Sequence, residues 1–223
     1  GARVWLVNKP DALETTFLIG GAGIARNDPD YVPLQVVNTV LGGRFTSWLN
    51  DELRVNSGLT YGANSAFSPL SQAGTFAISS FTALPKTEAA LDLALKTYQR
   101  LWDKGIDKAT LDSAKAYVKG QFPPRFETSE QLASLLGDMY ALGIERSQFD
   151  NFMRDVDGLT PAKAKALIDR LPCKVVIDHI GKFLGPTTPD DAPAHGRWGR
   201  FLGRWRYSFV GLVMATPGIG GRA

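Results

Sequence analysis

The order of strand-like and helix-like segments is the feature that most limits what this chain can fold into. Short segments rich in Val, Ile, Thr and Phe, typical of strands, come early in the sequence, and one more comes late. Segments with apolar residues at helical spacing fill most of the second half. This segregation is typical of α+β proteins, in which helices cover one side of a sheet. We therefore predict an α+β domain, with a mixed or mostly antiparallel sheet and helices packed on one face.

Alternation, helical spacing and turn residues predict where the individual elements lie. The predicted strands are residues 4–7, 13–20, 60–67, 74–81 and 174–180. Helix starts are predicted from the capping residues Asp28 and Asp30, Asp107, Thr128, Ser147 and Thr160. Helix ends are predicted from the left-handed backbone that glycine adopts without steric cost, at Gly58, Gly105 and Gly143.

The composition changes near residue 183, which predicts two regions. Residues 1–182 are predicted to form the α+β domain, and residues 183–223 a tail rich in Gly, Pro and Arg without a clear period. We expect this tail to be disordered, or non-native in sequence, as after a reading-frame slip. Residues 196–209 interleave basic and aromatic side chains, which leaves binding to a membrane surface or nucleic acid open. The chain starts at Gly1 without Met, and we expect an upstream part to be missing.

Charge and hydropathy argue against two broad classes of function. The formal net charge is only +3, and the surplus arginines follow Gly196, so a whole-surface nucleic-acid binder is not indicated. The longest apolar run, residues 207–219, is interrupted by Gly211 and Pro217. It is shorter than the roughly 20 residues that a membrane span needs, so no transmembrane segment is predicted.

No complete catalytic or metal-binding motif is present. His179 and His195 are the two histidines, and neither lies in H-E-x-x-H or the inverted H-x-x-E-H. Cys173 lacks an activating cationic setting and is interpreted as a small buried residue. The glycines of residues 20–23 lack the Lys-Ser or Lys-Thr of a phosphate loop, so close backbone approach at a strand end is the better interpretation. We predict no metal site and no catalytic residue in this chain in isolation.

Residues 41–61 combine a glycine break, one amphipathic helix, and a turn into a strand. The helical spacing predicts a buried face made of Phe45, Trp48, Leu49 and Leu53. Arg54 lies in the predicted last turn and Tyr61 at the predicted start of the strand, so the two side chains can converge. A guanidinium and a phenol can together donate to a peptide carbonyl or a developing oxyanion. The alternative is structural, because Arg suits a helix C-terminus and Tyr is common in strands.

A specific order and spacing of residues runs through residues 28–62: Asp28-Pro29-Asp30-Tyr31, Leu41-Gly42-Gly43, Phe45, Ser47, Leu49, Glu52-Leu53-Arg54 and Gly58-Leu59-Thr60-Tyr61-Gly62. On these residues the chain resembles the insulinase/pitrilysin family of zinc metallopeptidases, which includes the mitochondrial processing peptidase. The similarity is to the family's C-terminal-type, non-metal domain, which implies a two-layer α+β domain with helices on one side of a sheet, and it continues more loosely to about Ile180. Trp48 departs from the family pattern, because a basic residue often follows the serine there.

The resemblance implies a function as well as a fold. It implies paired halves or subunits, a dimeric arrangement, enclosing an extended peptide substrate. One half binds zinc through H-x-x-E-H, and the other supplies an Arg/Tyr pair near the scissile bond, which Arg54 and Tyr61 match. The implied partner is therefore a zinc-bearing subunit or N-terminal half, zinc is expected on that partner, and this chain alone should be inactive. Scaffold relatives in respiratory complexes leave a non-proteolytic role open, and a periplasmic or otherwise exported bacterial location is expected by analogy.

Overall fold

The computed structural model describes residues 4–8, 12–171 and 211–216. The strands are β1 Val4–Asn8, β2 Glu14–Ala22, β3 Ala63–Pro69, β4 Gly74–Ala83 and β5 Gly211–Thr216. The α-helices are α1 Tyr31–Leu41, α2 Trp48–Asn50, α3 Thr87–Lys104, α4 Lys108–Gly120, α5 Ser129–Leu142, α6 Ser147–Asp150, α7 Phe152–Asp157 and α8 Pro161–Arg170. A π-helical segment, Asp51–Asn56, continues α2, and 3₁₀ turns occupy Leu84–Lys86 and Pro123–Phe126.

The five strands form one sheet in the order β1-β5-β2-β4-β3. Only the β1–β5 pairing is parallel among the described strands, and the other three pairings are antiparallel. Ile19 on β2 lies opposite Ile78 on β4, which places both side chains on the same face. The predicted mostly antiparallel sheet is therefore confirmed.

One face of the sheet is buried under helices. Along β2 and β4 burial alternates with period two, and Phe17, Ile19 and Ile78 are essentially inaccessible to solvent. On the opposite face of β2, Leu18 remains 41% exposed. The core continues into the buried sides of α1 and α3, which contact the sheet. The two-layer α+β architecture predicted from the sequence is therefore confirmed.

Several predicted helix ends are confirmed because they depend on local bonds. The Asp107 carboxylate accepts a hydrogen bond from the Thr110 backbone N–H at 3.0 Å. Thr128 forms a full capping box with Gln131 at the start of α5. Gly105 and Gly143 both end helices with a φ of +64°, as predicted, and Gly143 adopts the left-handed helical conformation.

Two other predicted helix starts are wrong in detail. Asp30 is the N-cap of α1, but its side chain makes no capping bond, and Asp28 instead accepts from the Asp30 backbone N–H. Because α1 begins at Tyr31, its first turn carries no acid. Ser147 is the first residue of α6 rather than its cap, and the helix predicted to continue from it is broken at Asn151.

Residues 211–216 lie within the segment predicted to be a tail. They form β5, between β1 and β2, and so differ from the predicted disordered extension. The boundary at residue 182 stays a prediction, since residues 172–210 lie outside those described. The predicted strand 174–180, Cys173, His179 and His195 lie in the same undescribed part.

Candidate functional site

The helix that carries Arg54 changes its winding within three residues of its start. Ser47 is extended, α2 begins at Trp48, and the segment from Asp51 to Asn56 is π-helical. Leu53 is fully buried and fixes this segment against the core. Its carbonyl accepts hydrogen bonds from the Leu59 N–H at 2.8 Å and the Thr60 N–H at 3.3 Å, which turns the chain sharply after the helix.

Gly58 makes this turn possible. Its φ of +60° is the left-handed conformation that a side chain would disfavour, and its N–H donates to the Arg54 carbonyl at 3.2 Å. The prediction that Gly58 ends the helix is confirmed, as is the position of Arg54 in the last turn.

The Arg54 guanidinium rests on an exposed aromatic ring. Its central carbon lies 4.6 Å from the centroid of Phe45, a distance typical of a cation–π contact. Phe45 is 63% exposed and precedes the helix, so its predicted place on the buried face is wrong. Trp48, Leu49 and Leu53 do form that buried face. Phe45 escapes burial because the chain is still in a turn there, where helical spacing does not apply.

Tyr61 projects into solvent from a turn, not from a strand. Its side chain is 81% exposed, and β3 begins two residues later at Ala63, so its predicted place at the start of the strand is wrong. The same turn is nevertheless firmly anchored on either side of Tyr61. Thr82 on β4 donates its hydroxyl to the Leu59 carbonyl at 2.6 Å, and Ser80 donates to the Gly62 carbonyl at 3.0 Å.

Two further bonds complete the frame of this turn. The Thr60 hydroxyl accepts from the Gly62 N–H at 3.1 Å, closing the loop across Tyr61. The Asn50 amide oxygen accepts from the Ala63 N–H at 2.9 Å, which ties the helix to the first residue of β3. Arg54 and Tyr61 therefore belong to one surface segment with a fixed backbone. Among the described residues, no hydrogen bond joins their two side chains.

Sequence reasoning missed the residues that hold this turn. Ser80 and Thr82 are buried hydroxyls two residues apart, on the face of β4 that the helices cover. The one signal in the sequence is their spacing of two residues within a strand, which places both hydroxyls on one face. A hydroxyl buried on that face must find a hydrogen-bond partner. Their partners, the backbone of residues 59–62, follow only from the tertiary fold.

The described part of the chain does not offer a metal site. No three His, Cys, Asp or Glu side chains within it lie together as metal ligands would. The described helices also include none that is both long and apolar enough to cross a bilayer. What this segment presents chemically is two hydrogen-bond donors, the Arg54 guanidinium on an aromatic ring and the exposed Tyr61 phenol.

Comparison with known families agrees with the fold. The chain belongs to the Peptidase M16 inactive domain family, whose profile matches residues 6–118. A crystal structure described as a peptidase M16 inactive domain, from Pseudomonas fluorescens, superimposes with a TM-score of 0.74 at 24% identity. The superposition covers 99% of this chain and 44% of the Pseudomonas fluorescens chain.

Two relatives of the chain are described with different functions. An uncharacterized zinc protease of Streptomyces coelicolor is 24% identical over 164 residues, which are 72% of this chain and 36% of the relative. A non-peptidase homolog named YmxG, from Helicobacter pylori, is 29% identical over 135 residues, which are 59% of this chain and 31% of the relative. The chain thus spans about a third of the length of these relatives, and is similar to members described both as proteases and as non-peptidases.

Proposed function

We propose that this chain is the substrate-binding, non-metal half of a zinc metallopeptidase assembly. Arg54 and Tyr61 contact an extended peptide, and a zinc-bearing partner half, either another subunit or another part of the same precursor, completes the site. The membership of the inactive-domain family supports the non-metal role. The observation that carries the proposal is the exposed Tyr61 side chain on a turn whose backbone is bonded on both sides.

The donor chemistry of the two side chains suits a peptide backbone. The cation–π contact with Phe45 does not use the N–H groups of Arg54, which can donate to carbonyl oxygens. The Tyr61 hydroxyl can donate one further bond to a carbonyl or to a developing oxyanion. Because the backbone of the turn is already fixed, little conformational entropy is lost when the peptide binds.

A direct test measures binding of an extended, uncharged peptide to the intact chain by fluorescence anisotropy. Arg54→Ala should weaken binding on the order of tenfold, and Tyr61→Phe several-fold, the size expected when charged and neutral hydrogen bonds are lost. Matched controls are Arg146→Ala and Tyr140→Phe, because both side chains are at least as exposed and lie elsewhere in the chain, Tyr140 on α5 and Arg146 just before α6. Equal losses in the controls, or none in the two site variants, would refute the peptide-binding role.

The same variants test the role in the complete assembly with its zinc-bearing half. Peptide cleavage should fall in Arg54→Ala and Tyr61→Phe, while the zinc content per assembly stays that of the wild type. Loss of zinc together with activity would point to a structural defect instead.

The second candidate function is a non-proteolytic scaffold of the same family. Similarity to the Helicobacter pylori non-peptidase homolog favours it. A scaffold needs no peptide-binding donors, so neither Arg54→Ala nor Tyr61→Phe would then alter any interaction of the chain. The coding sequence upstream of Gly1, or a neighbouring gene, also separates the two: an H-x-x-E-H motif there supports the peptidase.

A further inference from the structure

A second surface, separate from the Arg54 and Tyr61 turn, has its own recognition chemistry. A groove of about 310 Å³ lies between the π-helical segment and α3. Its charged lining consists of Glu52, Lys96, Arg100, Asp103 and Lys104. We propose that this groove binds an acidic polypeptide segment in extended conformation, with Arg100 as the central contact.

Arg100 is held in place without using its hydrogen-bonding capacity. Its guanidinium carbon lies 4.0 Å from the centroid of the Trp48 ring, and Trp48 is itself only 8% exposed. No acceptor for the Arg100 guanidinium is found among the described residues. A cation–π contact does not use the guanidinium N–H groups, which can therefore still donate to a carboxylate.

Trp48 and Arg100 come from different elements. The ring of Trp48 belongs to α2, and it supports a cation that α3 provides. Arg100 also lines the groove.

Lys96 and Lys104 extend the site one helical turn to either side of Arg100. Four residues of an α-helix advance about 6 Å along its axis. Alternate side chains on one face of an extended peptide are about 6.6 Å apart. A peptide with an acid at every second position therefore matches the three cations along the groove.

The two acids of the groove do not neutralise these cations. The Glu52 carboxylate accepts a weak bond from Asn56 at 3.5 Å, and the Asp103 carboxylate accepts from Gln99 at 3.0 Å. Neither forms an ion pair with Lys96, Arg100 or Lys104 within the described residues. The groove keeps an excess of positive charge, and its acids oppose binding of basic segments.

The test uses the full chain and a fluorescein-labelled peptide of alternating Glu and Ser at low ionic strength. Its two comparison peptides replace each Glu by Gln, or collect the same acids in one block. We expect the alternating peptide to bind most tightly and to weaken with added salt. Arg100→Gln should raise its Kd on the order of tenfold, as for one lost charge-assisted hydrogen bond.

Controls separate the groove from general electrostatics and from unfolding. Arg146→Gln removes the same charge from an exposed position just before α6 and should leave the Kd unchanged. A Lys96→Gln, Lys104→Gln double variant should also weaken binding, and each protein is checked by its thermal unfolding midpoint. Equal binding of the block peptide, equal loss in Arg146→Gln, or displacement by inorganic phosphate at peptide concentrations would overturn the proposal. Arg54→Ala should not change this Kd, so the result does not depend on the peptidase role.

Discussion

At the scale of single residues, the Phe45–Arg54 contact matters for orientation more than for stability. An exposed cation–π contact contributes only about 0.5–1 kcal/mol. Such an energy cannot hold a loop in place, but it restricts the rotamers of a long, half-exposed side chain. Phe45 therefore limits the directions in which Arg54 can donate hydrogen bonds.

Among the described residues, Asp92 on α3 is the one whose pKa the fold shifts most. Partial burial of its carboxyl, with a smaller contribution from the charge of Glu88, raises its pKa from 3.8 to about 6. Between pH 3.8 and about pH 6 the folded chain binds more protons at this carboxyl than the unfolded chain does. The contribution of Asp92 to the free energy of unfolding therefore falls as pH rises through this range. Because Asp92 is only half-buried, solvent screening limits the cost above pH 6 to about 1 kcal/mol.

We therefore expect Asp92→Asn to stabilise the protein at pH 7.5 by about 1 kcal/mol and to have little effect below pH 4. Urea unfolding at several pH values measures the difference. Asp112→Asn is the control, because the bond from Lys108 lowers the pKa of that carboxyl and the substitution should bring no gain at pH 7.5. An equal gain in the free energy of unfolding at pH 3.5 and pH 7.5 for Asp92→Asn would contradict a raised pKa at Asp92.

At the scale of elements, the turn of residues 59–62 is held by hydrogen bonds from β4 as well as by the helix before it. Thr82 and Ser80 each bind one of its carbonyls from the neighbouring strand. The position of the exposed Tyr61 is thus determined by buried hydroxyls that never contact solvent themselves. We consider Thr82 and Ser80 positioning residues for the proposed peptide site.

Thr82→Val should loosen this turn and leave the Leu59 carbonyl without its partner. We expect a loss of about 1–2 kcal/mol in the free energy of unfolding. Amide hydrogen exchange should also become faster in residues 59–62 than in the rest of the sheet. Thr75→Val is the control, because Thr75 lies on the same strand with its side chain exposed. If exchange in the turn is unchanged, the hydroxyl does not hold it.

At the scale of the whole molecule, the outer edge of β3 is covered by the helical layer. The Ser65 N–H donates to the Gly42 carbonyl at 3.2 Å, and its carbonyl accepts from the Asn38 side chain at 2.9 Å. Ser65 also donates its hydroxyl to Asn38 at 2.6 Å. Gly42 allows this approach, since a Cβ there would lie 2.4 Å from the Ser65 nitrogen. The contact joins the two layers and protects an edge that another chain could otherwise pair with.

Asn38→Ala should therefore have two effects. It leaves the Ser65 carbonyl and hydroxyl unpaired, which should cost about 2 kcal/mol of stability. It also frees part of the β3 edge, so sedimentation should reveal more self-association at micromolar concentration. Asn64→Ala, an exposed neighbour on the same strand, should change neither measurement. A stable, monomeric Asn38→Ala would show that the edge is protected in another way.

The predictions from sequence were correct where a feature depends on neighbouring residues, and were wrong or incomplete where it depends on contacts between distant ones. The strand-then-helix order, the caps at Asp107 and Thr128 and the stop at Gly58 were all predicted correctly. Phe45 was placed on the buried face, because its spacing fits a helix that in fact begins at Trp48. For the candidate site, the sequence predicted Arg54 and Tyr61 as a pair, which stays a prediction, but it did not predict the hydroxyls that hold the turn of Tyr61.

The sequence by itself determined the fold class, the two-layer arrangement and most helix ends, since periodicity and capping act over a few neighbouring residues. Only the tertiary structure decided that β5 lies between β1 and β2, that Tyr61 projects from a bonded turn, and that Arg100 rests on Trp48. These features join residues far apart in the chain. Their energies come from burial and hydrogen bonds that exist only once the two layers have packed.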